Sequence, residues 1–459
     1  MENDNLKRMG SEPVFKLIMK MSLPAMFSMV VQALYNIVDS MFVSYVGKHA
    51  LTAVSLAYPM QFLMIGVAVG TSIGINSLIS RRLGEKKKEE ADKAATYSLL
   101  IGVLTWLVFA IVGLFFSSAI IGAYTDNPLV HEAGTQYLSC VFIFSIGVFI
   151  EINIEKTLQA TGNMIFPMLF QLVGAVLNII LDPIFIFGFW FIPAYGTLGA
   201  AIATVVGQII SMIFALCVLF FKSHSIEINF KYFKHFDFSV IKDIYAVGFP
   251  SIIMQSIGSV MLLGLNGILA GISETYVAVL GVYYKLQSFV FMPVFGLTHG
   301  VMPIMGYNYG AKNKSRLLQS LKYGVLIALV VMGIGVILFQ TIPELLLSMF
   351  NADSEMLEVG IPAMRIISIC FLPAAAGILL ATLFQAVGRG IRSLIMSLLR
   401  QIGVILPSAY LLVLVSPPLV WYSFPIAEGV SLIVALLLYL NLYNKELKHL
   451  GDNTLMSEK

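Results

Sequence analysis

The sequence predicts an all-α integral membrane protein, with twelve transmembrane helices in two pseudo-twofold-related six-helix bundles. Three observations carry this expectation. Of 459 residues, 58% are hydrophobic and only 12% charged, with a mean hydropathy of +0.89, against about 25% charged in a soluble domain. Apolar stretches of the length a bilayer demands, about 20 residues, recur from one end to the other. The chain also repeats itself at a constant shift of 226 residues.

The expected spans are 15–45, 51–80, 94–120, 132–158, 164–190, 196–221, 241–271, 276–305, 317–342, 356–386, 391–416 and 419–443. Several exceed the minimum length, so tilts or kinks are expected. Pro24 and Pro183 fall inside spans and are kink candidates, because each removes a backbone donor. The first thirteen residues, MENDNLKRMGSEP, are polar and unlike a cleaved signal peptide. Cys140, Cys217 and Cys370 are odd in number, sit in apolar segments and form no CxxC, so they read as packing residues.

With the N-terminus placed in the cytoplasm, 24 of the 28 Lys and Arg residues fall on cytoplasmic segments, including the run Arg81 to Lys93. Only Lys48 lies in an outer loop, and Lys285, Arg365 and Arg400 lie within spans. This positive-inside pattern predicts a multi-pass protein of the plasma (inner) membrane with both termini cytoplasmic. The basic run is a topology signal on a solvated loop, and no nucleic-acid partner is expected.

At the shift of 226, Pro24 meets Pro250, Gln61 meets Gln287 and Gly70 meets Gly296. GINSLISRRLGEKKK (74–88) falls on GVMPIMGYNYGAKNK (300–314), and LQATG (158–162) on FQAVG (384–388). The expected units are residues 1–221 and 241–445, a cytoplasmic linker 222–240 and a tail 446–459. Six spans per unit make the repeat parallel, an arrangement found in secondary transporters, whose sites lie near the repeat interface.

There is no GxxxxGK[ST], HExxH or GxSxG motif, no aspartate pair spaced for a magnesium diphosphate and no repeated TVGYG-like filter. ATP hydrolysis, membrane-embedded catalysis and a selective channel therefore find no support. No cofactor is expected beyond a coupling ion, Na⁺ or H⁺.

Carboxylates in the middle of a span cost about 2.5–3.5 kcal/mol each and mark function. Asp39 lies about 9 Å from the outer end of the first span, at 1.5 Å per residue. Asn178 and Asp182 stand four apart in LNIILDPIFIFG, on one helix face, with Asp182 about 12 Å from the outer end. Thr204, in GAAIAT, reaches a similar depth, and Pro183 frees the carbonyl of Ile179 beside the acids. Such an oxygen-rich pocket leaves two options: one aspartate carries a proton, or a hard cation such as Na⁺ sits between them on Asp39, Asn178 and Asp182. The repeat counterparts Leu265, Val404 and Ser408 carry no acid, so the pocket belongs to the first unit alone.

In the second unit Lys285, Arg365 and Glu428 are expected as buried charges at matched depth, with Glu428 paired to Lys285 or Arg365. Glu151 and Glu155 read as a solvated or Lys156-paired helix end. The 23 methionines and 32 phenylalanines suit both lipid contact and a cavity for apolar cations.

SLP…YNIVDSMFV, ALTAVSLAYPMQ, ISRRLGEKKKEEADK, LQATGN, LNIILDPIFIFG and GTLGAAIAT together resemble the multidrug and toxic compound extrusion (MATE) family, through nearly the whole chain. The resemblance implies a V-shaped pair of six-helix bundles. It also implies alternating access and the export of lipophilic cationic compounds against entering Na⁺ or H⁺, by a monomer in contact with membrane lipid. Asp39, Asn178 and Asp182 match the cation site of the family's DinF-type branch, and Thr204 its helix-6 threonine. The acids that the NorM-type branch adds in helices 7 and 10 have no match in GFPSIIMQSIG or FLPAAAGILLATLFQAVG. In several relatives the helix-1 proline bends on protonation of the aspartate, and Pro24 takes that position, with Gln32, Tyr35 and Asn36 expected to line the adjoining cavity. Two rival readings stand beside this one. A flippase or exporter of a lipid-linked or other amphipathic substrate would show a strongly cationic cavity. A non-transporting receptor would need no matched buried acids.

Overall fold

Apolar runs this long leave the backbone no hydrogen-bond partner but itself, so they fold as helices. The computed structural model describes residues 2–190, 192–234, 236–350 and 352–451. The first half holds α1 (Glu2–Ser11), α2 (Val14–Val46), α3 (Lys48–Gly84), α4 (Lys88–Phe115), α5 (Ser117–Gly122), α6 (Pro128–Ile143), α7 (Ile146–Ala160), α8 (Ile165–Phe187) and α9 (Thr197–Phe221). The second holds α10 (Phe238–Ala270), α11 (Glu274–Gly310), α12 (Lys314–Thr341), α13 (Pro343–Ser348), α14 (Ser354–Ser368), α15 (Phe371–Ala386), α16 (Gly390–Leu398), α17 (Ile405–Val415) and α18 (Ser423–Lys445), with a π-helical turn, Leu399–Val404, between α16 and α17.

Among the described residues ten helices are long and apolar enough to cross a membrane, and the bent pairs α6–α7 and α14–α15 bring the number to twelve. The bends are 44° and 47° and fall, within one residue, at repeat-equivalent places, Phe144–Ser145 and Ile369–Cys370. Neither is at Pro24 or Pro183, where α2 and α8 run on without a break. At the first bend Ser145 Oγ donates to the Phe142 carbonyl at 2.8 Å and competes with the backbone for it. At the second, Pro373 has no N–H to offer the Ile369 carbonyl. The caps obey the repeat as well. Asn127 accepts from Leu129 N at 3.0 Å to start α6, and Asp353 accepts from Met356 N at 2.8 Å to start α14.

The halves meet crosswise, α3 against α10 and α11 against α2. Glycines let the backbones touch. A Cβ on Gly74 would lie 2.1 Å from the Ile244 carbonyl oxygen, and one on Gly300 2.8 Å from Ser22 Cα. Gly84 and Gly310 bring α3 and α11 together, with would-be Cβ atoms 2.0 Å from the Tyr307 oxygen and 2.1 Å from the Arg81 oxygen. These contacts lie at the end of the molecule that carries the basic loops. There Arg82 Nη2 also pairs with Asp243 Oδ2 at 3.0 Å, and Asn308 Nδ2 donates to the Met9 carbonyl at 3.1 Å.

The segment between α9 and α10 straps onto the first half. Glu227 N donates to Asp92 Oδ1 at 2.8 Å and Asn229 N to Thr96 Oγ1 at 3.1 Å. Tyr97 stacks on Phe233 and Phe236.

Candidate functional site

The site is built where α8 lies against α9 and α2 closes over α8. Small residues set the first contact. A Cβ on Gly199 would sit 2.2 Å from the Phe185 oxygen, and one on Gly207 3.2 Å from the Gly174 oxygen. Backbones this close bring Thr204 of α9 against Asn178 of α8, at 3.1 Å from amide to Oγ1. With the amide nitrogen turned to the carboxylate, Asn178 donates to Asp182 Oδ2 at 2.9 Å, and its oxygen accepts from Thr204 Oγ1 at 3.1 Å. This orientation satisfies both neighbours, whereas the reverse sets oxygen against oxygen. Asn178, Asp182 and Thr204 are all buried, Asp182 completely.

Asp39 faces this trio from α2. Its carboxyl group is within hydrogen-bonding reach of that of Asp182. Two carboxylates at that range need a proton or a cation between them. Asp39 Oδ1 and Asp182 Oδ1 are both sealed from solvent with no partner, the pair of acceptors such a guest requires. Among the described residues no group of three or more His, Cys, Asp and Glu could hold a metal. The donors are hard oxygens suited to Na⁺ or H⁺ and ill suited to a transition metal.

The MatE family model matches residues 24–184 and again 250–411, beginning once in each half, 226 residues apart. The chain belongs to the MatE family. It is 28% identical over 449 residues to the multidrug export protein MepA of Staphylococcus aureus (strain NCTC 8325 / PS 47), covering 95% of this chain and 96% of that one. MepA of Staphylococcus saprophyticus is 26% identical over 441 residues, with the same coverage. Among solved structures it resembles the outward-facing conformation of a multidrug resistance MATE family transporter of the MOP superfamily. That match has a TM-score of 0.90 and 26% identity, over 96% of this chain and 98% of the other. A MOP superfamily transporter from Pyrococcus furiosus, whose binding pocket is described as reversed in polarity, matches with a TM-score of 0.89 and 26% identity, at the same coverage. As a MatE member the chain is a membrane transporter and not an enzyme.

Further polar residues stand around the MatE chain's paired aspartates. Tyr35, expected only as a cavity residue, lies beside both acids and near Tyr58. Tyr137 of α6 also neighbours both acids, and its Oη donates to Gln61 Oε1 at 3.3 Å. A tyrosine within an apolar span is a weak signal, and Gln61 had stood out only as a repeat landmark. Gln32 is exposed at the surface of α2. Asn36 lies on the same helix, and its side chain is outside the described ones. Pro24 sits next to the packing of Gly296 of α11, whose would-be Cβ lies 2.5 Å from Met26 Cα.

The charges of the second half depart from expectation. Glu428 pairs with Arg400, Nη1 to Oε1 at 2.9 Å, and with neither Lys285 nor Arg365. The π turn that contains Arg400 lies against α18 and aims the guanidinium at Glu428. Lys285 and Arg365 are exposed at the protein surface, not buried. The Lys285 ammonium sits 5.8 Å from the centre of the Phe350 ring. In the first half Glu155 does pair with Lys156, but the pair is buried and not a solvated helix end.

Proposed function

We propose that this MatE transporter is a multidrug exporter that moves lipophilic cationic compounds in exchange for Na⁺ or H⁺ by alternating access. The observation that carries this reading is the facing pair Asp39 and Asp182 with their two unpartnered oxygens. A guest cation there offsets one of the two charges and relieves the repulsion between carboxylates that are both ionised. Asn178 and Thr204 orient Asp182, and α2 carries Asp39 together with Pro24, where one missing backbone bond gives the helix freedom to bend. Export follows if the coupling cation and the substrate favour opposite states. The named export function of the MepA relatives supports the substrate class. The basic loops support placing both termini in the cytoplasm of a cell whose plasma membrane holds the protein. In that orientation the closed end faces inward and the state is outward-facing.

The test uses purified protein in liposomes with ethidium as reporter. A sodium gradient and a pH gradient are imposed separately. Movement with sodium alone makes Asp39, Asn178 and Asp182 a metal site. Movement with pH alone makes the two aspartates the proton carriers. Movement with neither rejects coupling and brings the lipid-flippase reading forward.

A further inference from the structure

Near the basic end, the halves also meet through a polar cluster that the coupling site does not use. Lys156 and Glu155 of α7 are 4% and 2% exposed and form an ion pair at 2.9 Å. All three ammonium protons of Lys156 are placed: on Glu155 Oε1, on Gln159 Oε1 at 3.0 Å and, across the interface, on His299 Nδ1 of α11 at 3.2 Å. Gln159 Nε2 donates to Glu155 Oε1 at 2.8 Å, and Gln171 Nε2 of α8 to Glu155 Oε2 at 3.0 Å. Asn76 Nδ2 of α3 holds the Lys156 carbonyl at 3.1 Å. Glu155 and Lys156 are thus fully engaged.

Glu151 is not. It lies one turn along α7, within the electrostatic reach of both Glu155 and Lys156. Its Oε1 is sealed from solvent without a partner, and so is Oε1 of Gln171, whose amide already reaches into the cluster. The charge count is also incomplete. An imidazole that accepts at Nδ1 is neutral, so one ammonium stands beside two carboxyl groups, and Glu151 must hold a proton or a second cation. An ionised carboxylate without a counter-charge in a half-buried place is unfavourable, and two idle acceptor oxygens mark where a second cation fits.

We propose that this cluster is a second cation site, with Lys156 as its resident cation and Glu151 as the acceptor for the positively charged head of a lipophilic substrate. The proposal rests on the reading of the protein as an exporter of such cations. A charge seated on Glu151 repels the Lys156 ammonium one turn away. Lys156 is the group that reaches His299 in the other half, so occupancy of the site loosens a contact between the halves.

The test is equilibrium dialysis of tetraphenylphosphonium against the purified full-length protein. Glu151→Gln is near-isosteric and leaves the Glu155–Lys156 pair in place; it weakens binding about tenfold, the effect of losing one modest charge interaction. Lys156→Met keeps the stem, removes the competing charge and tightens binding about tenfold. Both shifts persist in an Asp39→Asn background, which separates this site from the coupling site. Should Lys156→Met fail to fold, Glu151→Gln alone decides. Wild-type affinity in Glu151→Gln overturns the proposal and leaves the exporter reading standing. The expected binding pattern without gradient-driven movement overturns the exporter reading alone. No binding by any variant, wild type included, overturns both.

Discussion

On the proposed reading, two side chains decide whether this transporter is coupled. Asp39 and Asp182 would share one guest, and an asparagine at either place keeps the shape while removing the charge that calls for it. Asp39→Asn and Asp182→Asn are each expected to abolish gradient-driven ethidium movement in liposomes while the melting temperature stays within a few degrees of wild type; full transport by either variant rejects the site. The Arg400–Glu428 pair makes the opposite kind of prediction. Arg400→Leu strands a largely enclosed carboxylate and costs about 1–3 kcal/mol, less than a fully buried pair because Arg400 is 31% exposed. Adding Glu428→Leu recovers most of that loss, because an apolar pair needs no counter-charge. Thermal melting of the single and double variants checks this. These residues also show what the sequence could tell. Lone acids in apolar runs stand out, so Asp39, Asn178 and Asp182 were legible as a group. The partner of Glu428 was not, because depth is a one-dimensional measure and pairing needs direction. Each helical residue turns the face by about 100°. Lys285 and Arg365 have the right depth and the wrong direction, and Arg400 is aimed by a π turn that no hydropathy pattern announces.

Helices approach only as closely as their smallest residues permit, and the site depends on one such approach. Gly199 and Gly207 let α9 lie against α8, so that Thr204 meets Asn178. Gly199→Ala drives a methyl group into the backbone of Phe185. It is expected to destabilise by about 1–3 kcal/mol and to weaken coupling by pushing Thr204 off Asn178. Gly267→Ala on α10 is the control. Nothing lies within 4 Å of its would-be Cβ, and removing a helix-interior glycine stabilises by about 0.5–1 kcal/mol. Paired melting curves and ethidium movement test both; equal behaviour of the two variants counts against the packing argument. At this scale the sequence was legible for the existence of spans and poor for their shape. Bilayer length and hydropathy fix where helices run, so the expected and observed spans largely overlap. Pro24 and Pro183, the prolines that hydropathy brings forward, do not mark the sharp breaks, whereas Pro373 lies at one of them. A serine hydroxyl bends the α6–α7 span, while the helices with Pro24 and Pro183 continue, because a single lost bond inside a packed bundle is tolerated.

Across the whole molecule, symmetry and its absence divide the work. The contact between the halves is made by glycines that the repeat pairs off: Gly70 with Gly296, Gly74 with Gly300, Gly84 with Gly310. The shift of 226 that relates them was plain in the sequence, although their role as the seam was not, since packing between distant helices leaves no local pattern. The proposed coupling site has no such partner, because Asp39, Asn178 and Asp182 fall opposite Leu265, Val404 and Ser408. Equivalent substitutions should therefore give equal effects on closure and unequal effects on coupling. Gly74→Ala and Gly300→Ala each place a methyl group where backbone atoms of the other half already lie, 2.1 Å and 2.8 Å away, and each is expected to part the halves at the basic end. Spin labels on Lys87→Cys and Ser315→Cys, exposed residues of that end in opposite halves, read the separation by pulsed electron resonance, and both glycine variants move the distribution to longer distances by similar amounts. Asp182→Asn and Ser408→Ala leave that distribution alone and part company in transport: the first loses the response to the ion gradient and the second keeps it. A Ser408→Ala variant that uncouples, or a seam that opens for one glycine and not for its repeat partner, would show that gating and coupling are not divided between the shared and the unshared parts of the repeat.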